Sequence, residues 1–294
     1  MARTMVSLDA AGTHITGIAT GFDHGGPLVV ALHGGSYTSS YFDVPGHSLL
    51  EAAAANGLDV VALDRPCYGG SDRIADDELT FARSAAVLND AISALWKEHG
   101  QSHTGIVLLG HSIGGAIAMH LAASSPSWPL EGLAISGIHD EAPAHVRAAW
   151  DSMPAGQPVE LAAEQRRLFF YGPDWTIEPG IVEAAEISTA LVPLAELLEV
   201  VGGWTDDARA LAAKIDVPVH YVAFEFEQLW TIDAESTRSF AAAFTSSPRV
   251  DGTLMAGTGH DADHHLLGRA FQLRQLAFAL ECSLLAARPV ASPV

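Results

Sequence analysis

The feature that most constrains this chain is a series of short runs rich in Val, Ile and Leu, separated by longer stretches with helical periodicity. Such runs are typical of strands that are buried on both faces of a sheet. Strands that alternate with helices predict a mainly parallel sheet flanked by helices, which is an α/β fold. The predicted strands cover residues 27–32, 59–63, 105–109, 130–135, 218–223 and 249–255.

Two more strands are predicted near the start of the chain, at residues 4–8 and 14–20, as an antiparallel hairpin at the leading edge of the sheet. The clearest helix lies between the second and third buried runs. Its apolar residues recur at helical spacing and form one stripe that would pack on the sheet. They are Phe81, Ala85, Leu88, Ile92 and Leu95.

The alternation stops between positions 138 and 203, where we expect about three helical segments and no strand. We therefore predict a core of residues 1–138 and 203–294, with a helical cap of residues 139–202 inserted after the sixth strand. A cap turns an apolar underside toward the pocket that it covers. We expect aromatic residues of this segment to contact the substrate there, although each could instead belong to a small core of the cap itself. They are Phe169, Phe170, Tyr171 and Trp175.

Charge and composition exclude several classes of partner. The chain has 15 basic and 35 acidic residues and a formal charge of -20, which would repel nucleic acid and an anionic membrane surface. No stretch approaches the roughly 20 apolar residues that a membrane span needs, and the N-terminus lacks the apolar run of a signal peptide. With two cysteines, Cys67 and Cys282, we expect a cytoplasmic protein. The sequence leaves the oligomeric state open and is compatible with a homodimer.

The strongest chemical signal is the motif Gly110-His111-Ser112-Ile113-Gly114, which lies between a predicted strand and a helix rich in small residues. A Ser between two glycines at such a junction can be held on a sharp, strained bend that exposes its hydroxyl. The start of the helix favours the negative charge that develops during attack. We therefore predict that Ser112 is a nucleophile. The alternative is a tight turn with an incidental Ser.

A second glycine motif, His33-Gly34-Gly35-Ser36, follows the strand predicted at residues 27–32. Glycines allow backbone N–H groups to approach a ligand oxygen closely, so the N–H groups of Gly35 and Ile113 could form an oxyanion hole. Ser36 and His111 lie beside these groups in the sequence, and we expect them to contact the substrate.

The general base is predicted at His260, within Gly257-Thr258-Gly259-His260 after the last predicted strand. A histidine there could reach Ser112 across the edge of the sheet, and its pKa lies near the operating pH. The segment from His260 to His265 also has the His and Asp density of a zinc or manganese site. Because it lacks a metalloprotease pattern and an evident second ligand group, we expect no metal and no cofactor.

The order of Ser112, an acid and His260 around an inserted cap resembles the α/β-hydrolase superfamily, and the similarity covers nearly the whole chain outside the insertion. The run from Asp64 to Ser71 is similar to the D-x-P-G-x-G-x-S loop of that family, with Cys67 in place of a Gly. The resemblance implies a catalytic triad whose acid follows the strand at residues 218–223. Glu227 falls at that position, and Glu225 and Asp140 are the alternatives.

The resemblance implies a serine hydrolase that cleaves a carboxylic ester through an acyl-enzyme. The aromatic residues of the predicted cap lead us to expect a small to medium, largely apolar substrate. The same fold and triad also serve other reactions. A thioesterase, cyclase or acyltransferase on a carrier-bound acyl chain is the first alternative, and a carbon–carbon bond hydrolase is another. A ligand receptor without turnover remains a further alternative, favoured only by the unsettled identity of the acid.

Overall fold

A computed structural model of the protein describes residues 3–154 and 156–287 of the 294-residue chain. Within these residues, eight strands form a single sheet. They are β1 (Thr4–Ala10), β2 (Thr13–Ala19), β3 (Leu28–Leu32), β4 (Asp59–Leu63), β5 (Ile106–His111), β6 (Leu130–Ser136), β7 (Val219–Phe224) and β8 (Val250–Met255).

The strands are arranged in the order β1-β2-β4-β3-β5-β6-β7-β8. The hairpin of β1 and β2 joins the sheet antiparallel to β4, and the strands from β4 to β8 across the sheet are all parallel. This topology confirms the predicted mostly parallel sheet with an antiparallel hairpin at its edge. Parallel strands end at the same edge, so the loops that follow β3, β5, β7 and β8 come together there.

The described helices are α1 (Leu49–Ala55), α2 (Phe81–His99), α3 (Ile113–Ala123), α4 (Ala144–Asp151), α5 (Ala163–Phe170), α6 (Ile181–Ala184), α7 (Leu194–Val201), α8 (Gly203–Ala212), α9 (Ala234–Ala241) and α10 (Gly268–Ala286). They flank the sheet in groups, with α2 packed on α3 and α1 packed on α10. The stripe predicted for α2 is buried along its whole length. Thr80 caps this helix, because its hydroxyl accepts a hydrogen bond from the Arg83 N–H.

The central strands read as uninterrupted apolar runs because both faces of the sheet are covered. All residues of β3 and β4 are buried, whereas β1 alternates between buried and exposed positions. The two valines in each of β3 and β4 fit this environment, since β-branched residues pack well on a pleated surface. The rigid centre of the sheet therefore carries the loops at its carboxyl edge.

The segment between β6 and β7 is helical, with isolated bridges such as the one between Val159 and Val192. Our expectation of about three helical segments in residues 139–202 is too low, since the described part of this range has four α-helices, α4 to α7. The short α6 explains the difference, because a helix of four residues is too short to show helical periodicity. The next helix, α8, begins at Gly203 and packs on both α7 and α3.

The helices of residues 3–154 and 156–287 include none that is both long and apolar enough to span a lipid bilayer. The longest of these, α2 and α10, carry charged side chains along their length.

The close packing of α3 against β3 can be tested by a substitution at Gly114. A Cβ atom at this position would overlap the carbonyl oxygens of Leu32 and His33, which are backbone atoms and cannot rotate away. We expect Gly114→Ala to lower the free energy of unfolding in urea by about 1–3 kcal/mol, despite the higher helix propensity of Ala.

Gly203→Ala is the matched control, because a Cβ atom added to this helical glycine would have no neighbouring atom within 4 Å. It should leave the free energy of unfolding unchanged or raise it by about 0.4–1 kcal/mol. Equal stability of the two variants would contradict the packing argument.

Candidate active site

Ser112 lies at the junction of β5 and α3, on a backbone bend that is strained for a residue with a side chain. Its φ is 53° and its ψ is -126°, outside the regions that such residues normally adopt. Holding this conformation costs about 1–3 kcal/mol, which the surrounding packing must supply. The Ser112 hydroxyl does not cap its own helix, so it is available to the space above the sheet.

Two glycines make this bend sterically feasible. A Cβ atom at Gly110 would lie 2.6 Å from both the Gly114 oxygen and the Gly115 Cα. A Cβ atom at Gly34 would lie 3.0 Å from the Ser112 Cβ, so the loop after β3 can approach the nucleophile only because position 34 has no side chain. The glycines therefore bring the two loops into contact.

Two backbone N–H groups beside Ser112 are positioned to form an oxyanion hole. Ile113 is the first residue of α3, where the N–H has no partner within the helix. The N–H of Gly35 does not donate to any carbonyl among the described turns and loops. Both residues line the same cavity as Ser112. Ser36 lines it as well, with a φ of 68° and a buried hydroxyl that lacks a partner in the described part of the chain.

His260 is held by Glu227 at the same edge of the sheet. Its Nδ1 atom lies 2.8 Å from Glu227 Oε2, and both side chains are almost fully buried. The other carboxylate oxygen, Oε1, accepts hydrogen bonds from the N–H groups of Gln228 and Leu229 at 3.0 and 2.9 Å. Because a carboxylate can only accept, Nδ1 carries the proton and Nε2 is left free to act as a base.

The alternative acids have other partners. Glu225 is exposed, and its carboxylate accepts a hydrogen bond from the Gly257 N–H at 2.7 Å. Asp140 lies 2.9 Å from His139 Nδ1 and contacts Arg209. Only Glu227, among the three candidates, contacts His260.

The environment of His260 raises the pKa of its imidazole. Burial by itself would lower this pKa, but the charge of Glu227 and its hydrogen bond to Nδ1 outweigh that effect. Asp261 contributes in the same direction. The site is therefore arranged to stabilise the imidazolium that forms when His260 takes up a proton.

His111, which also lines the cavity, and Asp261 lie next to this pair. The ring of His111 stacks on Tyr41 and lies 4.9 Å from the ring of His260. Asp261 is fully buried, accepts a hydrogen bond of 2.5 Å from the Tyr37 hydroxyl, and has its other oxygen 3.4 Å from His111 Nε2. In the described residues, His111, His260 and Asp261 form the one group of side chains close enough together to hold a metal ion.

The neighbouring histidines make structural contacts with backbone groups. His265 Nε2 accepts from the N–H groups of Gly172 and Gly259 at 3.0 and 2.9 Å, which ties the loop of His260 to the cap. His264 Nε2 donates to the Tyr41 carbonyl, and burial lowers the pKa of His264 to about 4. Residues 260–265 therefore do not point their side chains at a common centre.

The cavity above Ser112 is narrow and mostly apolar. Ser112 and His260 both line it, although no direct hydrogen bond between Ser112 Oγ and His260 Nε2 is among those of the described residues. The volume of the cavity is about 40 Å³. None of the described lining residues is Asp, Glu, Lys or Arg. The cap contributes Val146, Trp150, Leu161, Phe170, Leu197, Val200 and Val201.

Of the four cap aromatics expected at this cavity, the structure places only Phe170 there, with its ring 5.4 Å from that of His260. Phe169 packs on Trp150 instead, and Tyr171 packs on His265. Trp175 is 68% exposed and contacts Phe226 at the surface. The expectation fails for Phe169 and Tyr171 because consecutive residues at the end of α5 point in different directions. It fails for Trp175 because this residue lies in a separate turn at the surface, beyond the end of α5.

Most of the residues that line the cavity are not predicted by the sequence. Tyr37 and Trp230 come from the core, and Trp230 is fixed by a hydrogen bond of 3.0 Å to the Gly137 carbonyl. In the sequence, the apolar residues of α4 and α7 resemble those that any helix buries against a protein core. The available signal was that α7 is apolar on most of its surface, which is typical of a helix covered on more than one side.

Comparison with known proteins is consistent with this geometry. Residues 29–271 match the profile described as "Alpha/beta hydrolase family". Protein phosphatase methylesterase 1 from Pongo abelii and from Homo sapiens are each 24% identical over 166 residues. These matches cover 55% of this chain but only 40% of each relative, so the chain aligns with less than half the length of these relatives.

Solved structures show the same fold. An esterase from Thermogutta terrifontis superposes with a TM-score of 0.67 at 18% identity, covering 96% of this chain and all of the other. The thioesterase domain from the curacin biosynthetic pathway gives 0.65 at 17% identity, with 95% and 100% coverage. An N-acyl homoserine lactonase complexed with N-hexanoyl homoserine gives 0.63 at 17% identity, with 96% and 98% coverage. At these identities the likeness extends to the fold alone.

The raised pKa of His260 depends on Glu227 and can be measured directly. In Glu227→Gln the carboxylate charge is lost while the burial remains, so we expect the pKa of His260 to fall below that in the wild type. An NMR titration of the imidazole resonances measures this change. Glu225→Gln is the control and should leave the pKa unchanged, whereas an unaltered value in Glu227→Gln would exclude Glu227 as the partner.

Proposed function

The chain belongs to the alpha/beta hydrolase family, and we propose that it is a serine hydrolase that cleaves a carboxylic ester through an acyl-enzyme. The observation that carries this proposal is the placement of Ser112, the Glu227–His260 pair and two free N–H groups around one apolar cavity. We propose a small to medium, uncharged substrate, because the lining residues that the structure describes carry no charged side chain to pair with an ionic group.

In the proposed mechanism, Ser112 Oγ attacks the ester carbonyl carbon while its proton passes to His260 Nε2. The carbonyl oxygen gains negative charge and accepts hydrogen bonds from the N–H groups of Gly35 and Ile113. The tetrahedral intermediate then collapses, the C–O bond to the alcohol breaks, and His260 returns its proton to the departing oxygen. Water activated by His260 attacks the acyl-enzyme and releases the acid and free Ser112.

Glu227 keeps the proton of His260 on Nδ1 and offsets the positive charge of the imidazolium. The Ser112 hydroxyl reaches Nε2 by rotation about its side-chain torsion when substrate binds, since catalytic hydrogen bonds often tighten only in the complex. The protein's own residues supply every proton transfer in this scheme.

The two cysteines support a cytoplasmic location, which we also propose. Cys67 and Cys282 are both free, and burial raises the pKa of each thiol. Cys67 has a φ of 75°, at the position where the similar family loop has a glycine.

Covalent labelling tests the nucleophile. We expect a fluorophosphonate probe to modify Ser112 in the folded wild type, and Ser112→Ala to remain unmodified with turnover of p-nitrophenyl esters reduced by up to about 10⁶-fold. Ser36→Ala is a control for loss of a neighbouring hydroxyl and should still be labelled. A folded wild type that takes no label would favour the ligand receptor.

Substrate profiling tests the reaction class. Rates on p-nitrophenyl esters, acyl thioesters, lactones and β-diketones should show oxygen esters with the highest kcat/KM. Faster cleavage of thioesters would favour the thioesterase alternative, and cleavage of the diketones alone would favour a carbon–carbon bond hydrolase.

The pH dependence of turnover follows from the raised pKa of His260. The base must be neutral, so kcat/KM should fall as the pH drops through this pKa. Glu227→Gln should move that acidic limb to lower pH while lowering the plateau, because the pKa falls and the imidazolium loses its partner. A pH–rate profile measures both effects, and an acidic limb that stays in place would contradict the assignment.

A further inference from the structure

A fully buried ion pair links the core to the cap beside the cavity. Arg65, in the loop after β4, contacts Glu196 of α7 through both terminal nitrogens, with Nη2 3.1 Å from Oε2. The Tyr68 hydroxyl donates to the same Oε2 atom at 2.6 Å, and the guanidinium lies 4.5 Å from the centre of the Tyr68 ring. Arg65 and Glu196 are each 0% exposed. Each charge is tolerated there only because the other is present.

Arg65 also binds the loop that carries the proposed oxyanion hole. Its Nε donates to the His33 carbonyl at 2.9 Å, and its Nη2 donates to the Gly34 carbonyl at 3.1 Å. The Gly34 carbonyl and the Gly35 N–H belong to one planar peptide unit and point in opposite directions. The same carbonyl lies 2.8 Å from His33 Nδ1, so Arg65 and His33 together fix the direction of the Gly35 N–H.

The same helix that carries Glu196 forms one wall of the cavity. Leu197, Val200 and Val201 of α7 line it. The segment leading into α7 is attached to the oxyanion loop as well, since the Ala190 N–H donates to the Ser36 carbonyl at 2.8 Å. An outward movement of α7 would separate Glu196 from Arg65 and leave two unpaired buried charges. The wall is therefore held at a fixed distance from the oxyanion loop.

We infer that Glu196 is a positioning residue that acts through Arg65 in two ways. It fixes the Gly35 N–H for the oxyanion, and it holds α7 as a rigid wall that limits the cavity to short, uncharged acyl groups. This inference rests on the proposed function, because it concerns the acyl group that Ser112 would accept. The narrow free space and the absence of charged side chains among the described lining residues set the size and the chemistry of that group.

The first test compares Glu196→Gln with Glu199→Gln. Both variants replace a glutamate of α7 with the amide of the same shape, but Glu199 accepts a hydrogen bond from the Phe81 N–H and does not touch the oxyanion loop. With p-nitrophenyl acetate, we expect Glu196→Gln to lower kcat by about tenfold or more with a smaller change in KM, because the oxyanion donor is misplaced. Glu199→Gln should stay within about twofold of the wild type.

The second test measures the size limit. We expect wild-type kcat/KM to fall from p-nitrophenyl acetate and butyrate to octanoate. Leu197→Ala should raise the octanoate-to-acetate ratio by about tenfold or more, since it removes side-chain volume from the wall. Leu198→Ala is the matched control, because this leucine of the same helix is 40% exposed, and it should leave the ratio unchanged.

A third variant covers the case in which Glu196→Gln does not fold. Arg65→Met combined with Glu196→Leu replaces the pair with apolar side chains, which often preserves stability when neither charge is left alone. A normal melting temperature with reduced kcat would support the positioning role. A normal melting temperature with normal kcat would show that the pair serves stability alone and would overturn it.

The outcomes separate this inference from the proposed function. Equal kcat values for Glu196→Gln and Glu199→Gln, or a wild type that prefers octanoate, would overturn the inference while Ser112 still takes the fluorophosphonate label. A folded wild type that takes no label and hydrolyses no ester would overturn both.

Discussion

The candidate site depends on a close approach of backbones at the carboxyl edge of the sheet. The loop after β3 reaches Ser112 because Gly34 has no side chain, and the bend at Ser112 closes because Gly110 has none. In the same way, Gly114 allows α3 to pack against the end of β3. The strained φ of Ser112 is maintained by buried strands and by α3, which leave the backbone no room to relax. The two free N–H groups beside the nucleophile are a direct result of this geometry.

Paired burial of charge is the second constraint on the site. Glu227 faces His260, and Arg65 faces Glu196, and each carboxylate also accepts at least one further hydrogen bond. Groups held in this way cannot reorient freely, because an unpaired charge in the interior is costly. The first pair raises the pKa of His260, and the second joins the cap to the oxyanion loop. The two ion pairs thus orient His260 and the loop that carries the Gly35 N–H.

The core and the cap contribute different parts of the candidate site. The loops of the sheet hold Ser112, His260 and the N–H groups, while most of the apolar wall comes from α4, α5 and α7 of the cap. Phe170 touches both parts, because it lines the cavity and its carbonyl accepts the Asp261 N–H at 2.9 Å. His265 ties the cap to the loop of His260 in a similar way. In the proposed mechanism, reactivity therefore depends on the core, and selection of substrates depends on the cap.

The sequence by itself determined the parallel sheet, the edge hairpin and the positions of Ser112, His260 and the two glycine motifs. These features depend on local rules, namely apolar periodicity, glycine conformation and the order of strands and loops. Only the tertiary structure decided that Glu227, and neither Glu225 nor Asp140, contacts His260, that Phe170 alone of four aromatics reaches the cavity, and that Arg65 meets Glu196. The pairs Glu227–His260 and Arg65–Glu196 join residues 33 and 131 positions apart, so their contacts are set by packing between elements, which no local pattern records.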